Sequence, residues 1–278
     1  MQINLQKNIL LKNKGLTTTA VDFKKYKKLI HGMVINDLKK EYIGSFLGFF
    51  WAFVQPLSMI FVLWFVFEIG FRSKPVENIP FVLWISSGLL PWFFISNSLS
   101  QTTNSIVSQA FLVKKISFPV IILPFIKVLS QLTIHLVMML FLALAFIMYG
   151  IGVDIYWLQL FYYIVAASFF LSGVGLLLSS FVVFIKDIKN LLPIVIQFSF
   201  WGTPIFWSLS KIPQKYHIYM KLNPFEFLIQ GYRDSIIEKV WFWDRGFENL
   251  YFWSLSLILF FLGLKVFKKL RTHFVDVL

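Results

Sequence analysis

Apolar residues run along this chain in six long blocks. They lie at Phe46–Ile69, Pro80 to about Ala110, Phe118–Tyr149, Ile155–Ile185, Leu191–Leu209, and Leu250–Leu264 with some flanking residues. About 20 mostly apolar residues, rising about 1.5 Å each, carry a helix across a hydrocarbon core of about 30 Å. Each block therefore predicts a membrane-spanning helix. Pro56, Pro91, Pro124, Pro193 and Pro204 fall in or near the blocks, which bilayer helices tolerate when neighbours satisfy the freed backbone. Ahead of the first block, Phe23, Tyr26, Ile30, Met33, Val34, Leu38 and Tyr42 recur at helical spacing among Lys24, Lys25, Lys27, Lys28, Lys39 and Lys40. Asp22–Tyr42 is thus predicted to be an amphipathic helix lying in the headgroup plane, as a topology anchor alone or as a contact for a cytoplasmic partner as well. With no repeat or low-complexity tract, residues 1–45 read as a cytoplasmic N-terminus and 46–278 as one membrane domain.

Polar residues break the pattern at defined places. In the second block only Phe81–Ile95 is apolar, about 15 residues and roughly 22 Å, too short to cross, so the helix is expected to continue through Ser96–Gln109. There Asn97, Gln101, Asn104 and Ser108 form one row, and Ser98, Thr102, Ser105 and Gln109 an adjacent one. Two polar rows cannot face lipid; they line a wet pathway or hydrogen-bond between helices. On the third block Lys127, Gln131 and His135 share a face. Lys127 lies about two turns from the block's start and is expected to snorkel outward, and His135 to make a helix contact.

The roughly 40 residues between the fifth and sixth blocks are too apolar for a solvated loop. Asn223-Pro224-Phe225-Glu226 reads as a helix start, with Asn223 as N-cap, Pro224 at the first position and Glu226 at the third. The helix that follows places Phe225, Leu228, Ile229, Tyr232, Ile236 and Val240 on one side, and Arg233, Asp234, Glu238 and Lys239 mostly on the other. A shorter helix is expected around Gln214–Met220, and Trp241 and Trp243 belong at an interface. The pair of helices forms a lid in the outer leaflet or an aromatic belt anchor. The fold class expected is all-α integral membrane: six spans, an N-terminal interfacial helix, and short outward helices between spans five and six.

Composition sharpens this picture. The chain is 58% hydrophobic and 19% aromatic with 34 Phe and 10 Trp, which excludes a soluble domain and a disordered one. Its net charge of +13 invites a nucleic-acid reading until its distribution is examined. The N-terminal segment, the second-to-third link, the fourth-to-fifth link and the tail together carry 17 positive residues against five acids. The opposite face carries eight of each, and Lys127 lies within a span. By the positive-inside rule both termini are cytoplasmic. Topology alone accounts for the charge, and no nucleic-acid partner is expected.

Missing motifs narrow the function further. No Gly-Lys dipeptide occurs, so no P-loop is expected in the chain. The four histidines have no metal-ligand spacing, no GxSxG elbow is present, and the chain has no cysteine. An enzyme is not expected, and neither a catalytic residue nor a metal ligand is assigned. An ion-coupled carrier would want intramembrane carboxylates, which the blocks lack apart from Glu68 at the very end of the first.

The run NDLKKEYIGSFLGFFWAFVQPL (Asn36–Leu57) resembles the opening signature of ABC-2-type transport permeases of the polysaccharide exporter group. Similarity continues in VKKISFPVIILP (Val113–Pro124), LNPFEFLIQGYRDSII (Leu222–Ile237) and FKKLRTHFVDVL (Phe267–Leu278). The resemblance implies a six-span subunit that dimerises and works with a separate ATPase subunit, which would bind ATP and Mg2+. It implies export of a lipid-pyrophosphate-linked glycan of the O-antigen, teichoic acid or capsule type across the cytoplasmic membrane. It makes the link of Val113, Lys114, Lys115, Ile116, Ser117 and Phe118 a coupling helix, with Lys186 and Asp187 in a second ATPase contact. It makes the helices after span five an outer gate, including Asn223, Pro224, Phe225, Glu226, Tyr232 and Arg233, and sets the conduit among the first, second and fifth spans of two subunits. On that path Asn97, Gln101, Thr102, Asn104 and Ser108 would meet the glycan. Trp51, Phe53, Trp92 and Trp201 would offer ring faces to sugars, and Lys39 and Lys40 a cationic entrance to the pyrophosphate. Gly44 and Gly48 form a small-xxx-small pair. Alternatives are an ABC-2 permease for a drug or another lipid and, in a different class, an autonomous channel or carrier.

Overall fold

The computed structural model describes residues 23–42, 46–72, 79–114, 118–209 and 212–278, which form helices and no strand. Asp22, Gly44, Lys115, Ile116 and Ser117 lie outside the described residues. In chain order the α-helices are α1 (Phe23–Tyr42), α2 (Trp51–Trp64), α3 (Phe81–Asn104), α4 (Ala110–Val113), α5 (Ile122–Met148), α6 (Leu160–Val182), α7 (Ile188–Gly202), α8 (His217–Lys221), α9 (Pro224–Arg233), α10 (Gly246–Leu270) and α11 (Phe274–Val277). A 3-10 turn at Gly48–Phe50, entered with Gly48 at φ +51°, and a π-turn at Phe65–Gly70 extend α2 at its two ends. Similar turns lengthen α6 and α10. Five helical stretches are then long and apolar enough to cross a membrane: Gly48–Gly70, Phe81–Asn104, Ile122–Met148, Ile155–Val182 and Gly246–Val277.

The fifth block differs from its expectation. Instead of running to Leu209, α7 is 15 residues long and stops at Gly202. The cause is local: a residue before proline is pushed out of helical conformation, and Thr203, ahead of Pro204, is extended at φ −108°, ψ 139°. The second block ends as a helix at Asn104 rather than Gln109, with a separate 3-10 turn at Val107–Gln109.

The bundle is organised around α3, 78% of whose spanning window is buried, against 22% for the stretch containing α2. Helix α3 packs on α5, α6, α2, α7 and α9. The longest helix interface joins α6 to α10, where small residues let the backbones meet. A Cβ on Gly263 would lie 2.7 Å from the Gly173 carbonyl oxygen, so no larger side chain fits.

Candidate translocation groove and its flanking hub

Between α2, α3 and α7 lies a groove of about 460 Å³. Its polar lining is Gln55, Ser58, Ser96, Asn97 and Gln197, and its rings are Trp92, Phe93, Phe200 and Trp201. Helix phase explains the mixture, because Gln55 and Ser58 sit one turn apart on α2, as Ser96 and Asn97 follow Trp92 and Phe93 by one turn on α3. A smaller cavity of about 70 Å³ shares Gln55, Phe93 and Asn97 and reaches Gln131 and His135 of α5. The arrangement offers amide and hydroxyl groups beside aromatic faces. Among the described residues, no group of three or more His, Asp or Glu is placed to hold a metal.

The two polar rows of α3 separate. Asn97 and Ser108 are exposed, and Gln101 and Asn104 are partly so. Ser98, Thr102 and Ser105 are fully buried. Thr102, grouped with the pathway residues from its sequence, is therefore a packing residue: its hydroxyl donates to the Ser98 carbonyl at 2.7 Å, and its side chain fills the space above Gly175 of α6. Of the candidate sugar platforms, Trp51 and Trp201 are exposed, whereas Phe53 and Trp92 are buried. Phe53 packs edge-on to Phe141 and Trp92 edge-on to Phe225. Trp92 lines the groove though it is buried, and Trp51 and Phe53 lie outside its lining. Of the α3 row, Asn97 alone lines it.

At one end of the bundle, α9 begins as its sequence indicated. Asn223 caps it, its side-chain oxygen accepting the Phe225 N–H at 3.0 Å, with Pro224 at the first position. Asn223 Nδ2 also donates to the Thr203 hydroxyl at 3.0 Å. The expected polar side is wet only at its far end: Glu238 and Lys239 are exposed, but Arg233 and Asp234 are buried, as is Glu226, and beyond Arg233 the chain continues as a π-turn at Asp234–Glu238. Neighbouring elements supply the partners. Arg233 donates to the carbonyls of Pro204 and Ile205 and lies 3.9 Å over the Trp84 ring. Asp234 is paired in two-pronged fashion with Arg245. Tyr232 Oη lies 2.8 Å from His135 Nε2, and Phe94 stacks on the same imidazole, which makes His135 the helix contact expected of it. Lys221 pairs with Glu248 at 2.6 Å.

Glu226 is the exception. Neither carboxylate oxygen meets a hydrogen-bond donor among the described residues, so the residue does not close the cap it was placed to close. Burial pushes its pKa from 4.5 up to about 7, with Arg245 pulling down and Asp234 and Glu248 pushing up.

At the other end, Lys127 points toward α1 and pairs with Asp37, both largely buried. Lysine snorkelling therefore ends in an ion pair rather than in water. A chamber of about 540 Å³ beside the pair is lined by Lys40, Asn36, Tyr26, Ser105 and Gln109 among others; Lys39 is exposed and does not line it. Val113 is buried, Phe118 half-buried and Lys114 exposed at the described edges of the α4–α5 link. Lys186 and Asp187 are exposed at the start of α7, and Lys186 and Lys189 share a cavity of about 230 Å³ with Asn104 and Leu278. Sequence reasoning did not find the Asp37–Lys127, Asp234–Arg245 and Arg233–turn pairings. The one available signal was the placement of adjacent charges, Arg233 and Asp234, inside an apolar run.

Five apolar spanning stretches around a groove with a polar lining define a multi-pass membrane protein. Residues 30–237 match the ABC-2 type transporter family, and the chain belongs to that family. It is 26% identical over 245 residues to the O-antigen export system permease protein RfbA of Klebsiella pneumoniae, covering 87% of this chain and 92% of that one. Its identity to the protein of the same name from Myxococcus xanthus is 29% over 220 residues, 77% and 82% of the two chains. To the polysialic acid transport protein KpsM of Escherichia coli it is 21% over 252 residues, 88% and 95%.

Proposed function

We propose that the chain is the membrane subunit of an ATP-driven exporter that moves a lipid-pyrophosphate-linked polysaccharide outward across the cytoplasmic membrane. The observation that carries this reading is the groove among α2, α3 and α7, where Asn97, Gln197 and Gln55 stand beside Trp201 and Phe200. A hydrophilic chain crossing hydrocarbon needs polar groups to replace its water and ring faces to follow its sugars. The groove is open on one side, and α7 and α2 expose Leu191, Ile194, Phe198, Leu57 and Phe61 beside it. A second copy of the chain closes the groove into a conduit, and surrounding lipid covers what remains exposed. Helix α7 and the turn at Thr203–Leu209 together make the fifth span in chain order, short as a helix and completed by the turn that follows it.

Charge distribution orients the subunit with both termini in the cytoplasm. There Lys114, with the link that follows it, and Lys186 with Asp187 dock on a separate ATPase subunit that binds ATP and Mg2+. Lys40 draws the anionic headgroup into the chamber beside α1. At the opposite end α8 and α9 form the outer gate, and the bonds from Arg233 to the Pro204 and Ile205 carbonyls tie it to the end of α7. Copurification with the candidate ATPase, followed by hydrolysis assays with lipid-linked glycans, tests the reading. Glycan-stimulated hydrolysis that charge reversal at Lys114 abolishes is the expected result. Stimulation by drugs or simple lipids alone would favour a different ABC-2 cargo.

A further inference from the structure

A second groove, of about 560 Å³, separates α1 from α5 and belongs neither to the conduit nor to the chamber around Lys127. Helix α1 contributes Lys27, Ile30, His31 and Val34; α5 contributes Leu129, Leu132, Thr133 and Leu136. The two helices are joined by the Asp37–Lys127 pair, and the groove lies along the part of α1 that precedes it. The α5 wall is apolar in effect, because the Thr133 hydroxyl donates back to the Leu129 carbonyl at 3.0 Å. Leu129 and Leu136 are exposed on this wall, and Lys27 and His31 are exposed on the other. Among the described residues, no acid lines the groove.

A cationic, hydrogen-bonding rim above an apolar wall on a spanning helix matches one kind of molecule, an amphiphile with an anionic head. We propose that the groove binds an anionic phospholipid of the surrounding bilayer, its phosphate at Lys27 and His31 and one acyl chain along Leu129, Leu132 and Leu136. An interfacial helix attracts anionic lipid through its cations in any case. Here the apolar wall converts that diffuse attraction into a site, by giving the chain a fixed surface to lie against. Water would leave that wall unsatisfied, and a protein segment would need acids to meet the rim. The proposal rests on the chain's being a membrane protein, not on the identity of the exported glycan.

The test is retention of added lipid by the purified full-length permease, read by native mass spectrometry, with dioleoyl phosphatidylglycerol and dioleoyl phosphatidylcholine as probes. Phosphatidylglycerol should be retained in preference. Lys27→Ala should weaken that preference by about fivefold, the order of one lost cation near an anionic surface. K27A with H31A should weaken it further, and Lys27→Arg should preserve it. Leu132→Trp fills the groove without touching a charge and should reduce retention of both lipids, which separates site loss from charge loss and stands in if the double variant misfolds. Lys215→Ala, at a cation outside the groove, should change nothing. Equal retention of the two lipids, indifference to Leu132→Trp, or an equal loss in Lys215→Ala would overturn the proposal. So would displacement of phosphatidylglycerol by an equimolar polyprenyl phosphate, which would assign the groove to the transported lipid.

Discussion

The two polar rows that begin on α3 stand one position apart yet meet opposite fates. Asn97, Gln101, Asn104 and Ser108 are open in whole or part, whereas Ser98, Thr102 and Ser105 are closed against other helices. The difference lies in side-chain size and in the neighbour. Thr102 returns its hydroxyl to the Ser98 carbonyl, as Thr103 beside the row does to Leu99, whereas the buried hydroxyls of Ser98 and Ser105 meet no partner among the described residues; all three side chains of the row are short enough for a neighbouring helix to close on them. Asparagine and glutamine on the open row keep amide groups that one turn of backbone cannot satisfy completely. Polarity thus does two jobs on a single helix, tight packing on one side and a hydrophilic wall on the other.

The largest expected effect comes from forcing the closed row apart. A Cβ on Gly175 would lie 2.7 Å from the Thr102 Cβ, so Gly175→Leu should abolish the folded, monodisperse protein in size-exclusion chromatography. Gly175→Ala should be partly rescued by Thr102→Gly, because overpacking rather than lost polarity is the fault.

Glu226 extends the closed class to a buried carboxyl without a donor. Its raised pKa means the folded state holds a proton that the unfolded state releases from about 4.5 upward. This contribution to stability therefore falls as pH rises from 4.5 to about 7 and levels beyond it. Thermal unfolding across that range should show the decline, and Glu226→Gln should remove much of it, with a gain above pH 7 of roughly 3 kcal/mol at most.

On the open row the effect should appear in transport and not in folding. Asn97→Trp should lower glycan export on the order of tenfold by narrowing the groove, with unfolding temperature and ATPase copurification unchanged. Smallest of all, Thr102→Val keeps the shape and removes one hydrogen bond, so it should cost about 1 kcal/mol of stability and leave export intact.

Much of the fold was legible in the sequence because span length, cap chemistry and charge asymmetry are local or additive signals. The Asn223–Pro224 start of α9 and the continuation of α3 past Ile95 both follow from such rules. The row that closes was not legible, since Thr102 and Gln101 look alike until Gly175 is brought opposite one of them. Nor was the burial of Arg233 and Asp234: their partners, the Pro204 and Ile205 carbonyls, Trp84 and Arg245, lie beyond the helix that carries them. The early stop of α7 had a local signal in Thr203-Pro204, but the apolar run through Leu209 outweighed it. Of the candidate site residues, Asn97, Trp92 and Trp201 converge on the groove, while Phe53 and Thr102 were placed by chemistry that fits packing equally well.

The central claim is that Asn97, the member of the open row in the groove, faces the exported chain, and the absence of cysteine from the sequence gives a direct measurement. Asn97→Cys and Thr102→Cys permeases, assembled with their ATPase and exporting glycan, would be treated with a bulky water-soluble methanethiosulfonate. The account predicts that Asn97→Cys is labelled and its export falls to background, while Thr102→Cys is neither labelled nor inhibited. Continued export by fully labelled Asn97→Cys permease would contradict it.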